Sequence, residues 1–181
     1  MLPKSIQIML FVALTSCGAR DNASNAPDPA APPAKLSLTS DDFKDGQPIP
    51  THFSCDGANQ APVIRWGEPP KGTKGFALAI DDPDAPSGTF RHWGVFDIPA
   101  SARSIGGRQR AGTEVNNDKG TVGYTGPCPP RGNGMHHYHF RLFALETDKL
   151  DVGGDKVADV ESAARKHALA QGELIGTYER R

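Results

Sequence analysis

Positive charge is in no surplus anywhere in this 181-residue chain: 20 Lys and Arg stand against 21 Asp and Glu. No basic block or stripe breaks that balance, so the footprint a phosphate backbone demands is missing and nucleic acid is not expected as a partner. Cysteine is scarce too, with only Cys17, Cys55 and Cys128. The Pro-Cys-x-x-Cys of a zinc deaminase fails at Cys128, which is followed by Pro129, Pro130 and Arg131. Neither His-Glu-x-x-His, Gly-x-Ser-x-Gly nor a P-loop occurs, which removes the commonest zinc-protease, serine-hydrolase and nucleotide-hydrolase signatures. The chain has no internal repeat.

The first residues are of a different kind. "MLPKSIQIMLFVALTSC" has one early lysine, Lys4, an apolar stretch from Ile6 to Leu14, and small residues before Cys17. It is too short to be a permanent membrane span and has the layout of an export signal. Its ending, Leu14 to Cys17, resembles the bacterial lipoprotein processing box. Residues 1–16 are therefore predicted to be a lipoprotein signal peptide, leaving Cys17 to carry lipid. Gly18 behind the cysteine, rather than Asp, resembles the pattern sorted to an outer membrane. Residues 17–34 are rich in Ala, Pro, Asn and Asp and lack large apolar side chains, so they are predicted to be a disordered, semi-extended tether. A folded domain follows over residues 35–181. Removing the leader takes Lys4 away, leaving 19 basic and 21 acidic residues and a net charge of −2.

Within that domain the apolar segments are short and separated by turn signals, as in an all-β protein. Strands are predicted at Leu36–Leu38, Val63–Trp66, Phe76–Ile80, Gly94–Ile98, Tyr138–Leu145 and Leu174–Tyr178. One short helix near the C-terminus is predicted, capped by Asp155 and ended by Gly172, with a Glu161–Arg165 pair and an apolar face of Val157, Val160, Ala164 and Ala168. The architecture is a β-sandwich with a helix appended. Cys55 and Cys128 each sit in a Pro- and Gly-rich loop, and two cysteines in an exported domain are more often paired than reactive.

Two stretches stand out chemically. "DDPDAPSGTFRHW", Asp81 to Trp93, gathers three acids and a histidine directly after the core strand "GFALAI". Turn chemistry alone accounts for Asp, Pro, Ser and Gly there, whereas a binding wall accounts for the histidine as well. In "MHHYHFRLFAL", strand alternation places His136, Tyr138, Phe140 and Leu142 on one face and His137, His139, Arg141 and Phe143 on the other. His136 and Tyr138 precede an apolar run and so stand where the core opens to solvent. His137 and His139 belong to an exposed polar face.

Together "DPDAP" (82–86), "RHW" (91–93), "GYTGPCPPRGNGMHHY" (123–138) and "ELIGTYER" (173–180) resemble the phosphatidylethanolamine-binding protein family, in particular its bacterial, Raf-kinase-inhibitor-like branch. The resemblance covers about Leu36 to Arg181. It implies a larger sheet packed on a smaller one, and a small anion-binding pocket made of Asp82, Asp84, Pro86, His92, Gly126, Pro130, His136 and Tyr138. Proline would hold the walls rigid and the histidines and tyrosine would donate to a phosphate-like group. Asp82 and Asp84 would repel an anion directly, so their expected task is to orient and charge the histidines. A disulfide between Cys55 and Cys128 would brace the rim. The family's eukaryotic members carry a further C-terminal helix, whereas this sequence stops at Arg181, so contacts made by that helix have no expected counterpart.

The function expected on these grounds is non-catalytic binding of a small anionic or phosphorylated ligand, such as a phospholipid headgroup, with no cofactor and no metal. The protein would be lipid-anchored in the cell envelope on the periplasmic side. Alternatives are a protein-binding inhibitor or regulator module, and a hydrolase using the His/Asp pocket, including a thiol enzyme built on Cys128 and His136. A homodimer stays open.

Overall fold

The computed structural model describes residues 33–109 and 111–181. The predicted signal peptide, the acylation site at Cys17 and most of the tether lie outside these residues. Ten strands and one helix follow one another. They are β1 (Ala34–Lys35), β2 (Leu38–Ser40), β3 (Gln47–Pro48), β4 (Ile64–Trp66), β5 (Gly75–Asp82), β6 (Phe90–Pro99), β7 (Ser104–Ile105), β8 (Thr113–Glu114) and β9 (His136–Leu145), then α1 (Val157–His167) and β10 (Ala168–Tyr178).

The larger sheet runs β1-β10-β9-β5-β6-β8, with β3 also pairing with β10, and the smaller runs β2-β4-β7. Along β10-β9-β5-β6 each long strand is antiparallel to its neighbour, while the two-residue strands β1 and β3 lie parallel to β10. This is the strand-dominated sandwich, with one helix, that the sequence pattern predicts.

β5 shows why the layers stack as they do. All eight of its residues are buried because both faces of the strand are covered. Phe76, Leu78 and Ile80 point into the core between the sheets, where they join Trp66, Ile64, Phe140 and Leu142. Ala77 and Ala79 point the other way, toward Val157, Val160, Ala163 and Ala164 of α1. Small side chains on that face let the helix approach closely. At Gly94 the approach is tightest: an added Cβ would stand 2.8 Å from Val115 Cγ2 and 3.1 Å from Val157 Cα.

The structure departs from the predicted boundaries in ways that have local causes. The helix begins at Val157 rather than after Asp155, because Asp159 Oδ2 accepts from the Lys156 amide at 3.1 Å while Asp155 Oδ2 accepts from Asn116. It ends at His167, five residues before Gly172, because Ala168 already pairs with Leu145 in β10. Gly172 is instead a strand residue whose Cβ position would press on the Leu36 carbonyl, 2.5 Å away. Glu161 and Arg165 do pair, at 2.6 Å. The predicted strand at Leu36–Leu38 resolves into β1 and β2, since the chain crosses from one sheet to the other there; β1 thereby takes in Ala34, the last residue assigned to the tether. β6 starts at Phe90, so Arg91, His92 and Trp93 are strand residues rather than loop.

The Gly94 contact yields a direct test. Gly94→Val should lower stability by about 1–3 kcal/mol through overpacking against α1, read as a lower urea midpoint at unchanged slope.

Candidate ligand-binding pocket

The three acids after the core strand serve three different partners. Asp81 shares the helix-facing side of β5, where Arg141 Nη1 donates to its carboxylate and Glu161 lies 3.7 Å from the same guanidinium. Glu173 completes this cluster, accepting from Arg141 Nε at 3.0 Å and from His139 Nδ1 at 2.9 Å. Burial pushes the Asp81 carboxyl up, and Arg141 opposes that shift. Asp82 turns to the opposite face. Its Oδ2 accepts from His136 Nδ1 at 2.7 Å and its Oδ1 accepts from the Asp84 amide at 2.9 Å, so both oxygens are used internally. Asp84, past the turn, accepts from the His137 backbone amide at 2.9 Å and from His137 Nδ1 at 2.7 Å. That bond to His137 holds the Asp84 carboxyl below the usual carboxylate range.

Only one of the two loop carboxylates therefore orients a pocket histidine. Asp82 does; Asp84 fastens the loop to the outer face of β9, because His136 and His137 point to opposite sides of the strand. His137 and His139 lie on the predicted outer face, and both hold a carboxylate there. His92 takes its orientation from a carbonyl instead: Nδ1 lies 2.8 Å from the Thr125 oxygen.

These groups open onto a cavity of about 350 Å³. Ala85, Pro86 and Ser87 form one wall, Phe90 and His92 of β6 another, and Thr125, Gly126 and the Cys128–Pro130 turn a third; Asp82 and His136 lie between them. Asp82, Pro86, His92, Gly126, Pro130 and His136 are thus brought together as the sequence implied. Asp84 and Tyr138 are not among the lining residues. Tyr138 is buried beneath them, its ring edge-on to His92 with centroids 5.2 Å apart. Its hydroxyl has no hydrogen-bond partner among the described residues, and burial pushes the phenol's titration up.

The rim is tied down from three sides. Cys55 and Cys128 are bonded, with Cα atoms 5.4 Å apart, and both line the cavity. In the loop-entropy model a bridge over 73 residues stabilises by about 4 kcal/mol. Gly126 donates its amide to Asn59 Oδ1 at 2.7 Å, and a Cβ there would collide with the Phe53 carbonyl and come within 3.0 Å of Ser54 Cα. Only glycine lets these loops close. Finally, Arg180 grips Asp56 through two bonds of 2.7 and 2.8 Å, and the same carboxylate accepts from Tyr178 Oη at 3.1 Å. The closing segment of the chain is thereby clamped to the Cys55 loop.

Asn59 and Lys119 also line the cavity, and no motif in the sequence points to either. Asn59 has a left-handed backbone, φ 53°, which asparagine tolerates, but that is a turn signal rather than a site signal. Lys119 is an exposed lysine in an Asn-Asp-Lys-Gly turn, a setting typical of solvated surface.

Protonation follows from the hydrogen bonds. A carbonyl oxygen has no proton to give, so Nδ1 of His92 must donate to Thr125. Burial pushes the titration of His92 down, favouring the neutral ring. A neutral ring with its proton on Nδ1 leaves Nε2 as a bare acceptor, and that atom is buried without a partner among the described residues. His136, backed by Asp82, likewise keeps a proton on Nδ1 and has Nε2 for other work. Among the described residues no three His, Cys, Asp or Glu side chains converge as metal ligands. No helix of the described residues is long and apolar enough to cross a membrane.

Comparison with known proteins places this geometry. The family model for phosphatidylethanolamine-binding protein matches residues 39–179. The chain is 45% identical to a UPF0098 protein of Aquifex aeolicus, over 81% of this chain and 90% of that protein. It is 40% identical to a Mycobacterium tuberculosis protein provisionally named lipoprotein LppC, over 95% of this chain and 92% of that one. Among solved structures, Escherichia coli YbcL, described as a new member of the mammalian PEBP family, superposes with a TM-score of 0.75 at 33% identity, covering 82% of this chain and all of that one.

The tautomer assignment can be checked directly. Long-range ¹H–¹⁵N spectra at pH 7 should show His92 protonated on Nδ1 alone, with a titration midpoint below that of an ordinary exposed imidazole. A His92 protonated at Nε2 at pH 7 would contradict the assignment.

Proposed function

Because this chain belongs to the phosphatidylethanolamine-binding protein family, we propose that its pocket binds the phosphate-type anion of a small ligand or phospholipid headgroup without transforming it. The observation that carries this reading is the pair of imidazoles lining the cavity, each fixed through Nδ1 by an internal acceptor, with Nε2 of His136 left for a ligand. An oxyanion at His136 Nε2 accepts a hydrogen bond whose charge Asp82 balances from behind, as carboxylates do behind functional histidines elsewhere. The disulfide, the prolines and the Gly126 contact support a site formed before the ligand arrives, which limits the ordering cost of binding.

The domain is further proposed to be held at the cell envelope by lipid on Cys17. Support comes from the leader's resemblance to a lipoprotein processing box and from a relative that aligns over 95% of this chain and carries a lipoprotein name.

Calorimetric titration of O-phosphoethanolamine tests the pocket. His136→Asn keeps a donor for Asp82 but removes Nε2, and should weaken binding roughly ten- to a hundredfold, the loss of one charge-assisted hydrogen bond of about 1.5–3 kcal/mol. His139→Ala, on the opposite face of β9, should leave affinity within about twofold of the parent. Equal affinity for the parent and His136→Asn would put the site elsewhere.

The anchor has its own test. The parent protein should sediment with membranes and Cys17→Ala should not; a variant that still sediments as the parent does would rule out lipid at Cys17.

A further inference from the structure

Two sulfurs stand in the cavity wall, and their chemistry is separate from that of the histidines. We propose that the Cys55–Cys128 bond is a thiol-exchange site, at which a small monothiol adds covalently to Cys55 and Cys128 leaves as a thiolate. The site is independent of the ligand that the cavity takes.

Access comes first. Both cysteines are exposed and both line the cavity, so a thiol from solution meets the bridge without the fold opening. Exposed disulfides are the labile ones, whereas structural bridges resist reduction. The two sulfurs also differ in what surrounds them. Arg180 gives Nε and Nη2 to Asp56, at 2.8 and 2.7 Å, and turns Nη1 toward Cys128 Sγ at 3.7 Å. Among the described residues no donor reaches Cys55 Sγ, and the next residue in the chain is the acidic Asp56. Negative charge released by cleavage is therefore better held on Cys128, beside a guanidinium. Cys128 is the leaving sulfur and Cys55 the one attacked.

The loops, moreover, do not depend on the bond to stay together. Cys55 donates its amide to the Pro127 carbonyl at 3.0 Å, Gly126 donates to Asn59 Oδ1 at 2.7 Å, and Tyr124 Oη donates to the Phe53 carbonyl at 2.8 Å. These bonds join the same two loops and survive cleavage, so the sulfurs stay within reach and the exchange is reversible. The stabilisation a bridge provides is counted against the unfolded chain and does not measure what holds these loops in the folded one.

The step balances within the three sulfurs. A thiolate attacks Cys55 Sγ, a new sulfur–sulfur bond forms there, and the Cys55–Cys128 bond breaks with its electron pair leaving on Cys128. The incoming sulfur is oxidised and Cys128 is reduced, so no further oxidant or reductant takes part. The proton of the incoming thiol passes to solvent. The adduct then stands in the cavity wall beside a thiolate, and the supply of free thiol sets the shape and charge of that wall.

The test uses the full chain carrying Cys17→Ala, so that the two loop cysteines are the only ones present. Folded protein is mixed with a large excess of reduced glutathione at neutral pH, quenched with maleimide at the earliest times, and mapped by mass. Glutathione should be found on Cys55 and maleimide on Cys128, by about fivefold or more over the reverse arrangement. Opening should rise in proportion to glutathione and stay nearly constant in urea below the unfolding transition. Arg180→Gln should slow opening about threefold and even out the two adducts, while Arg180→Lys, which keeps the charge, stays nearer the parent. A bridge that opens only as urea unfolds the chain overturns the exchange site. Adducts mainly on Cys128, or an Arg180→Gln variant that matches the parent in both rate and position, overturn the assignment of the leaving sulfur.

Discussion

The bond between Asp82 and His136 decides what kind of cavity this is. It joins the last residue of β5 to the first of β9, neighbouring antiparallel strands, at the point where the core between the sheets gives way to the loops. Both partners are buried. A carboxylate at that depth would ordinarily repel the anion the cavity is proposed to hold, but here its oxygens are taken, one by the imidazole and one by the Asp84 amide. Its negative charge is thereby converted into an orienting force on His136. Everything else at the site is arranged around that conversion: the turn after β5 must be tight enough to bring the Asp84 amide back, and β9 must be in register to present His136 rather than His137.

Register is held by features far from the cavity. A one-residue slip of β9 would exchange the two faces, bringing His137 to the cavity and putting Phe140 and Leu142 on the helix side. Phe140 is locked into the inter-sheet core, 5.3 Å from Phe43 by ring centroids, and Arg141 is held on the other face by Asp81, Glu161 and Glu173. The run of acids after β5 is thus explained by two-sided burial. Consecutive strand residues face opposite layers, so Asp81 and Asp82 need separate partners, and each finds a basic side chain of β9 on its own side.

Much of this was legible from sequence, for a physical reason. Alternation along "HHYHFRLFAL" fixes which side chains share a face, and that prediction needs no knowledge of the partner strand. Turn residues and short apolar runs likewise mark a sandwich, and two cysteines in Pro- and Gly-rich loops, behind a leader that resembles an export signal, suggest a bridge. Partner identity was not legible. That Asp84 meets His137 rather than a pocket histidine depends on the path of seven residues between β5 and β6, which hydrophobic pattern does not determine. The helix end at His167 was hidden because Ala168, apolar and correctly spaced, suits a helix face as well as the first position of β10. Lys119 and Asn59 reach the cavity through loop paths set by tertiary closure, notably the contact at Gly126. Strands of two residues, such as β7 and β8, carry too little pattern to see.

Electrostatics finally bear on how such a pocket can discriminate. The chain is net negative, at −1 with neutral histidines, and a single lysine lines the cavity. Charge beyond about 8 Å is screened at physiological ionic strength, and an anionic membrane surface close to a tethered domain would draw in no anions for it. Long-range attraction is therefore weak, and selectivity has to arise at contact. At contact the two histidines differ in what stands behind them, a carboxylate for His136 and a carbonyl for His92. A carboxylate can balance the charge of a protonated ring, whereas a carbonyl only fixes the tautomer and leaves burial to keep the ring neutral. Both rings thus engage the protein through Nδ1, and what differs is the group that meets it.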